Sequence, residues 1–107
     1  ISSISVHTGY KGLAMYASSK GALEAFSKDT AREWGPMGIR SNVVVPGFMA
    51  TAMSSTLTDD QRNKIYARTS LKAATSIRSV AETVAFLLSE KAESITGQNI
   101  HVDNGTI

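Results

Sequence analysis

The longest helical periodicity in the chain runs from Ala14 to Trp34, where Leu23, Phe26, Thr30 and Trp34 recur near the helical repeat. Glu24, Lys28, Arg32 and Glu33 fall between them and can face water, with Glu24 and Lys28 at supportive i,i+4 spacing. Gly35 and Pro36 supply the stop signal. Ahead of this helix, residues 1–5 suggest a strand end leading into the polar, glycine-containing loop HTGYKG. Beyond it the pattern changes. Val43, Val44 and Val45 form a continuous β-branched run, which suits a strand buried on both faces, and Pro46 and Gly47 end it. A loop, FMATAMSST, follows. Thr58 with Gln61 makes a capping box that predicts a helix from Asp59 to Arg68. Ser79 with Glu82 makes a second box, opening a helix through Leu88 with Val80, Val84, Leu87 and Leu88 on its inner side. GQNIHV is a short strand, and Asn104–Gly105 a turn.

The order is strand, helix, strand, helix pair, strand. Such alternation implies parallel pairing through crossovers, hence the α/β class. Three strands make a small parallel sheet, which needs cover on both faces and usually more strands. As given, residues 1–107 look like half of a doubly wound domain. The start at Ile1, resembling the last residue of a cut strand, gives the same expectation of a piece of a longer polypeptide.

Charge and composition narrow the function classes. With 107 residues and a formal net charge of +2, the chain suffices for one modest domain. Its lysines and arginines fall singly, without aromatic interleaving, so no nucleic-acid partner is expected. The absence of cysteine excludes disulfides and thiolate metal sites, and fits a soluble protein of a reducing compartment such as the cytoplasm. No apolar run reaches the roughly 20 residues of a membrane span. His7 and His101 are read as loop and strand residues, and no histidine–carboxylate cluster has metal spacing. Asp59 and Asp60 open a helix, where negative charge suits the dipole.

The candidate chemistry lies in YASSK. Tyr16 and Lys20 stand one helical turn apart on one face. A free phenol ionises only near pH 10, and a neighbouring ammonium favours the phenolate. A phenol so placed can protonate a developing alkoxide, and a second hydroxyl on the same oxygen would hold charge as it forms. Ser3, 13 residues before Tyr16 at the predicted strand end, can supply it; Ser2 and Ser5 compete for that role. Strand ends and helix starts of open α/β sheets converge where ligands bind.

These segments together give the sequence a family likeness. ISS before the loop, YASSK, GALEAF, GIRSNVVVPGFMAT and ITGQNIHVDNG stand in order over essentially the whole chain. The chain resembles the C-terminal half of the short-chain dehydrogenase/reductases, and within them most looks like the β-ketoacyl-[acyl carrier protein] reductases. The resemblance implies a hydride transfer between NAD(P)H and a ketone or secondary alcohol, with NADP(H) ahead of NAD(H) as cofactor. Tyr16 would be the catalytic acid/base, Lys20 its promoter and a holder of the nicotinamide ribose, and Ser3 the group polarising the substrate carbonyl. Pro46 and Gly47 would line the nicotinamide side, with the Met49 backbone at the carboxamide and Thr51 at the carboxamide or a phosphate. Thr51 could instead cap a short helix, and Pro46–Gly47 could be only a strand-ending turn. The stretch from Ala50 to Ala67 would be a mobile lid.

The substrate implied is a 3-oxoacyl thioester, possibly linked to acyl carrier protein. The alternatives are a sugar, polyol or other secondary alcohol, or a non-catalytic oligomerising fragment. A homo-oligomer is implied, packed through the long helix with Trp34. Arg62, Lys64, Arg68 and Lys72 could meet an acidic carrier, although a solvated helix face explains them as well. The phosphate-binding glycine loop and first βαβ half of the family are missing, so no useful activity is expected of these 107 residues alone. The family commonly closes its last strand with VDGG; here Asn104 replaces the first of those glycines.

Overall fold

The valine run is a buried strand: every position of β1 (Val43–Pro46) is inaccessible to solvent. The computed structural model that shows this describes residues 1–107, the side chain of Met53 excepted. Strand β2 (Asn99–Val102) pairs with β1 in parallel, Val43 opposite Asn99 and Pro46 opposite Val102. On the other side of β1, Ser2 N donates to Val44 O at 2.8 Å and Ile4 N to Pro46 O at 3.1 Å. These bonds continue the parallel ladder, but residues 1–4 do not complete a regular strand. The chain turns at Ser5 into a single helical turn, α1 (Ser5–Thr8), which takes in the start of the expected loop. The α/β class holds, with the third strand reduced to a flanking segment.

The strand period of two sorts the core. Val43 and Val45 meet Ile4 and Tyr10 on one face. Val44 meets Leu87, Ala92 and the half-buried Val80 and Val84 on the other. Each fully buried valine, leucine or isoleucine among them contributes about 1.5–3 kcal/mol of burial free energy. A continuous apolar run is needed because helices cover both faces.

The long helix α2 (Ala14–Trp34) has the predicted boundaries, and Gly35 begins a 3-10 turn that closes at Gly38. Its apolar stripe, expected at the core or at a subunit contact, does not join this core. Phe26 is 70% exposed, Leu23 and Trp34 are also exposed, and the buried positions are Ser27 and Ala31. Small side chains bring the helix close: Ser27 Oγ lies 2.8 Å from Ser41 Oγ, and a Cβ on Gly97 would stand 3.5 Å from Ala31 Cβ. The apolar stripe therefore turns away from this sheet. The expected Glu24–Lys28 pair does not form either. Lys28 donates to Gly97 O, while Glu24 turns inward.

The next helix, α3 (Asp59–Ala67), starts as predicted. Thr58 N donates to Gln61 Oε1 at 2.9 Å and Gln61 N to Thr58 Oγ1 at 3.2 Å, with Asp59 and Asp60 in the first turn. The last helix, α4 (Ile77–Leu88), starts earlier than predicted. Its cap is Ser76, whose hydroxyl accepts from Ser79 N at 3.1 Å, so Ser79 lies inside the first turn rather than before it. Leu88, expected inside, is exposed at the helix end. Among the described residues, no helix is long and apolar enough to cross a membrane.

Candidate active site

Three chain segments meet beyond the C-terminal ends of the sheet. There they line an open cavity of about 760 Å³. Ser3 and Tyr16 line one side; Gly47, Phe48, Met49 and Thr51 line another. The family of predicted positions thus falls mostly in one place.

Ser3 is placed by its neighbours. The ladder bonds of Ser2 and Ile4 hold the backbone on either side of it. Ser5 N donates to Ser3 Oγ at 3.2 Å, which leaves the Ser3 hydroxyl hydrogen free to donate. Of the competing serines, Ser5 also lines the cavity and Ser2 does not. Ser2 is buried and its hydroxyl donates to Glu24, and the Ser5 hydroxyl is buried without a hydrogen-bond partner.

Tyr16 lies in the first turn of α2, half exposed, and among the described residues its hydroxyl has no hydrogen-bond partner. Lys20, one turn later, holds Nζ 5.8 Å from the Tyr16 ring centroid, within cation–π range. The same ammonium donates to Ile1 O at 3.2 Å. Lys20 is outside the cavity wall, standing behind the tyrosine.

The opposite wall is the end of β1. Pro46 is buried within the strand and does not reach the cavity, whereas Gly47 does. Gly47 N donates to Val102 O at 2.9 Å, which holds the turn against β2. A Cβ on Gly47 would lie 2.5 Å from Thr75 Oγ1 and 2.8 Å from Asp103 Cα. Only glycine fits this approach. Thr51 N donates to Ser54 Oγ at 2.9 Å at the start of a 3-10 turn, so Thr51 both opens a turn and lines the cavity.

Two further residues line the site: Tyr10, which sequence reading did not assign, and Arg68, read there as part of a basic helix face. Tyr10 and Arg68 both face the cavity, with Arg68 Cζ 5.6 Å from the Tyr10 ring centroid. This stack joins the loop after α1 to the end of α3. Tyr10 beside Gly9 and Arg68 at a helix end were visible signals, but nothing local shows that they meet. Among the described residues, no group of three metal-ligating side chains is assembled.

The described residues thus form a partial Rossmann-like sheet with Ser3 and Tyr16 lining one cavity beside it. The chain belongs to the short-chain dehydrogenase/reductase family: a family model described as enoyl-(acyl carrier protein) reductase matches residues 1–106. It is 44% identical over 97 residues to the 3-oxoacyl-[acyl-carrier-protein] reductase FabG of Salmonella typhimurium, covering 91% of this chain and 40% of that protein. The corresponding reductase of Haemophilus influenzae is 39% identical over 105 residues, covering 98% of this chain and 43% of that protein. A blue fluorescent protein from a metagenomic library, crystallised with NADPH, superposes with a TM-score of 0.90 at 33% identity, covering 98% of this chain and 42% of its own. The chain therefore spans about two fifths of the length of the curated relatives it matches.

Proposed function

We propose that this chain is the substrate-side half of an NADP(H)-dependent reductase of 3-oxoacyl thioesters. The observation that carries the reading is the convergence of Ser3 and Tyr16 on one cavity, with Lys20 one turn behind and the Gly47–Thr51 turn opposite. The likeness to 3-oxoacyl reductases and to an NADPH-bound structure supports substrate and cofactor.

The wall from Gly47 to Thr51 fits the nicotinamide end of the cofactor. It combines a glycine-tight turn with a cavity large enough for a planar ring beside a small ketone. Nothing in the chain corresponds to a glycine-rich phosphate loop, so the remainder of the dinucleotide needs a further segment. When bound, the dihydronicotinamide supplies the hydride that reduces the carbonyl carbon.

The residues of this chain handle the oxygen. Ser3, accepting from Ser5 N, donates its own hydrogen to the carbonyl oxygen and polarises it. Tyr16 delivers a proton to that oxygen as it becomes an alkoxide, giving the alcohol. Lys20 keeps positive charge beside the phenol through the transfer. The exposed stripe of Met15, Phe26 and Trp34 on α2 fits a homo-oligomer contact. Arg68 at the rim suits a substrate delivered by an acidic carrier.

The test is an assay of the full-length parent enzyme with NADPH, offering acetoacetyl thioester, the matching enoyl thioester and a sugar. Reduction of the first alone is expected, and Tyr16→Phe should lower kcat by about 10²–10⁴-fold. Preference for the enoyl thioester or the sugar, or full activity of the phenylalanine variant, would overturn the reading.

A further inference from the structure

Glu24 is the one carboxylate of α2 that the sequence pattern sends to water and the structure sends inward. Its side chain is only 10% exposed. Ser2 Oγ donates to Oε1 at 2.6 Å, His7 Nε2 pairs with the same oxygen at 3.1 Å, and Asn99 Nδ2 donates to Oε2 at 3.0 Å. One carboxylate thus ties α2 to the segment before α1, to α1 itself and to β2. A charge removed from water is costly unless its oxygens are satisfied, and these three partners satisfy them. The arrangement is more than a surface helix needs.

Its position in the chain gives it a purpose. Glu24 follows Lys20 by one turn and Tyr16 by two, on the same face. Its partners Ser2 and His7 bracket Ser3 in sequence. Lys20 strengthens the same seam, donating to Ile1 O at 3.2 Å, and the Ser2 hydroxyl lies 3.4 Å from Lys20 O. Apart from β1, the segment carrying Ser3 is held by α2, and Glu24 makes two of the side-chain bonds that hold it.

We infer that Glu24 is a positioning residue for the reduction: by clamping Ser2 and His7 to α2 it sets Ser3 against Tyr16. It touches neither substrate nor cofactor, and acts through the relative placement of the two hydroxyls on the carbonyl oxygen. The inference rests on the function proposed above. A shift of about 1 Å between the two hydroxyls can cost up to about 10²-fold in rate. The cofactor wall from Gly47 to Thr51 belongs to another seam and is left in place.

The experiment compares Glu24→Ala and Glu24→Gln in the full-length parent enzyme, reading kcat, the KM for NADPH, and amide hydrogen exchange at Ser5 and Val6. For Glu24→Ala, kcat should fall by about tenfold or more, with the cofactor KM within about twofold and faster exchange at both amides. Glu24→Gln keeps size and some hydrogen bonding, and should lose about threefold in kcat. A folded Glu24→Ala with unchanged kcat, or one in which kcat and cofactor KM deteriorate together, overturns the inference. If the alanine variant does not fold, the glutamine variant decides: unchanged kcat overturns it. If the parent enzyme reduces no thioester, the function proposed above fails, and the exchange measurement still judges the clamp: unchanged protection at Ser5 and Val6 overturns it.

Discussion

Gly47 shows how one residue joins the fold to the site. It ends the central strand, bonds to Val102 of the neighbouring strand and forms part of the cavity wall. The clash awaiting a side chain there has a soft part and a hard part. The Thr75 hydroxyl at 2.5 Å can rotate away, but the Asp103 Cα at 2.8 Å is backbone and cannot. Gly47→Ala must therefore move the turn outward, towards the cavity. We expect a loss of stability of about 1–3 kcal/mol, measured by urea denaturation of the full-length enzyme. A rise in the KM for NADPH should accompany it. Stability lost with no change in that KM would mean that the turn only packs. At the same scale, Asn104 adopts φ 55° where the family commonly has glycine. Its amide donates to Ala73 O at 2.9 Å and Ala74 O at 3.0 Å, bonds a glycine could not make.

The elements differ in how far their sequences reveal them, and the two capping serines show why. Ser79 with Glu82 matches the capping-box pattern, yet the chain uses Ser76, which lacks an acidic partner three residues on. Starting at Ile77 adds helix and leaves Val80, Val84 and Leu87 on the inner face, so packing outweighs the local pattern. Ser76→Ala should cost about 1 kcal/mol, whereas Ser79→Ala should cost no more than about 0.5 kcal/mol. Paired thermal melts of the two variants check this, and equal losses would restore the predicted cap. Helix boundaries at Ala14, Trp34 and Asp59 were legible because Gly, Pro, Thr and Asp act locally. The buried face of α2 was not. Its contact with the sheet is made by Ser27 and Ala31, and closeness of approach depends on the partner surface at Ser41 and Gly97. Hydrophobic periodicity located an apolar stripe but could not choose between core and subunit contact, and the structure turns it away from this core. Of the residues lining the cavity, Ser3, Tyr16 and Gly47 were picked out in the sequence by motif and strand end, their roles being the proposal above. The Tyr10–Arg68 stack and the Glu24 clamp were not, because each joins segments far apart in sequence.

At the scale of the whole molecule, the sheet is too small for what covers it. Val45 is fully enclosed, but among the described residues β1 finds only a two-bond neighbour on one side, and β2 has no partner on its far side. A groove lined by Ile1, Val44, Val84 and Leu88 opens beside that incomplete ladder. Parallel sheets are stable when several strands are buried between helices. The relatives supply the missing length, since this chain covers only 40–43% of them. We therefore expect the 107 residues alone to lack a cooperative unfolding transition in urea and to reduce no ketone with NADPH. Joined to a dinucleotide-binding half, the same sequence should unfold in one step, with a steeper denaturant dependence because more surface is buried. The fluorescence of Trp34, half exposed on α2, reports the transition without a label. A sharp transition together with turnover by the isolated chain would show that these two strands and their helices are a sufficient enzyme. The cavity would then have to hold the whole cofactor. Its walls offer a glycine-tight turn, and the sequence holds no glycine-rich phosphate loop, which is the physical ground for expecting the opposite result.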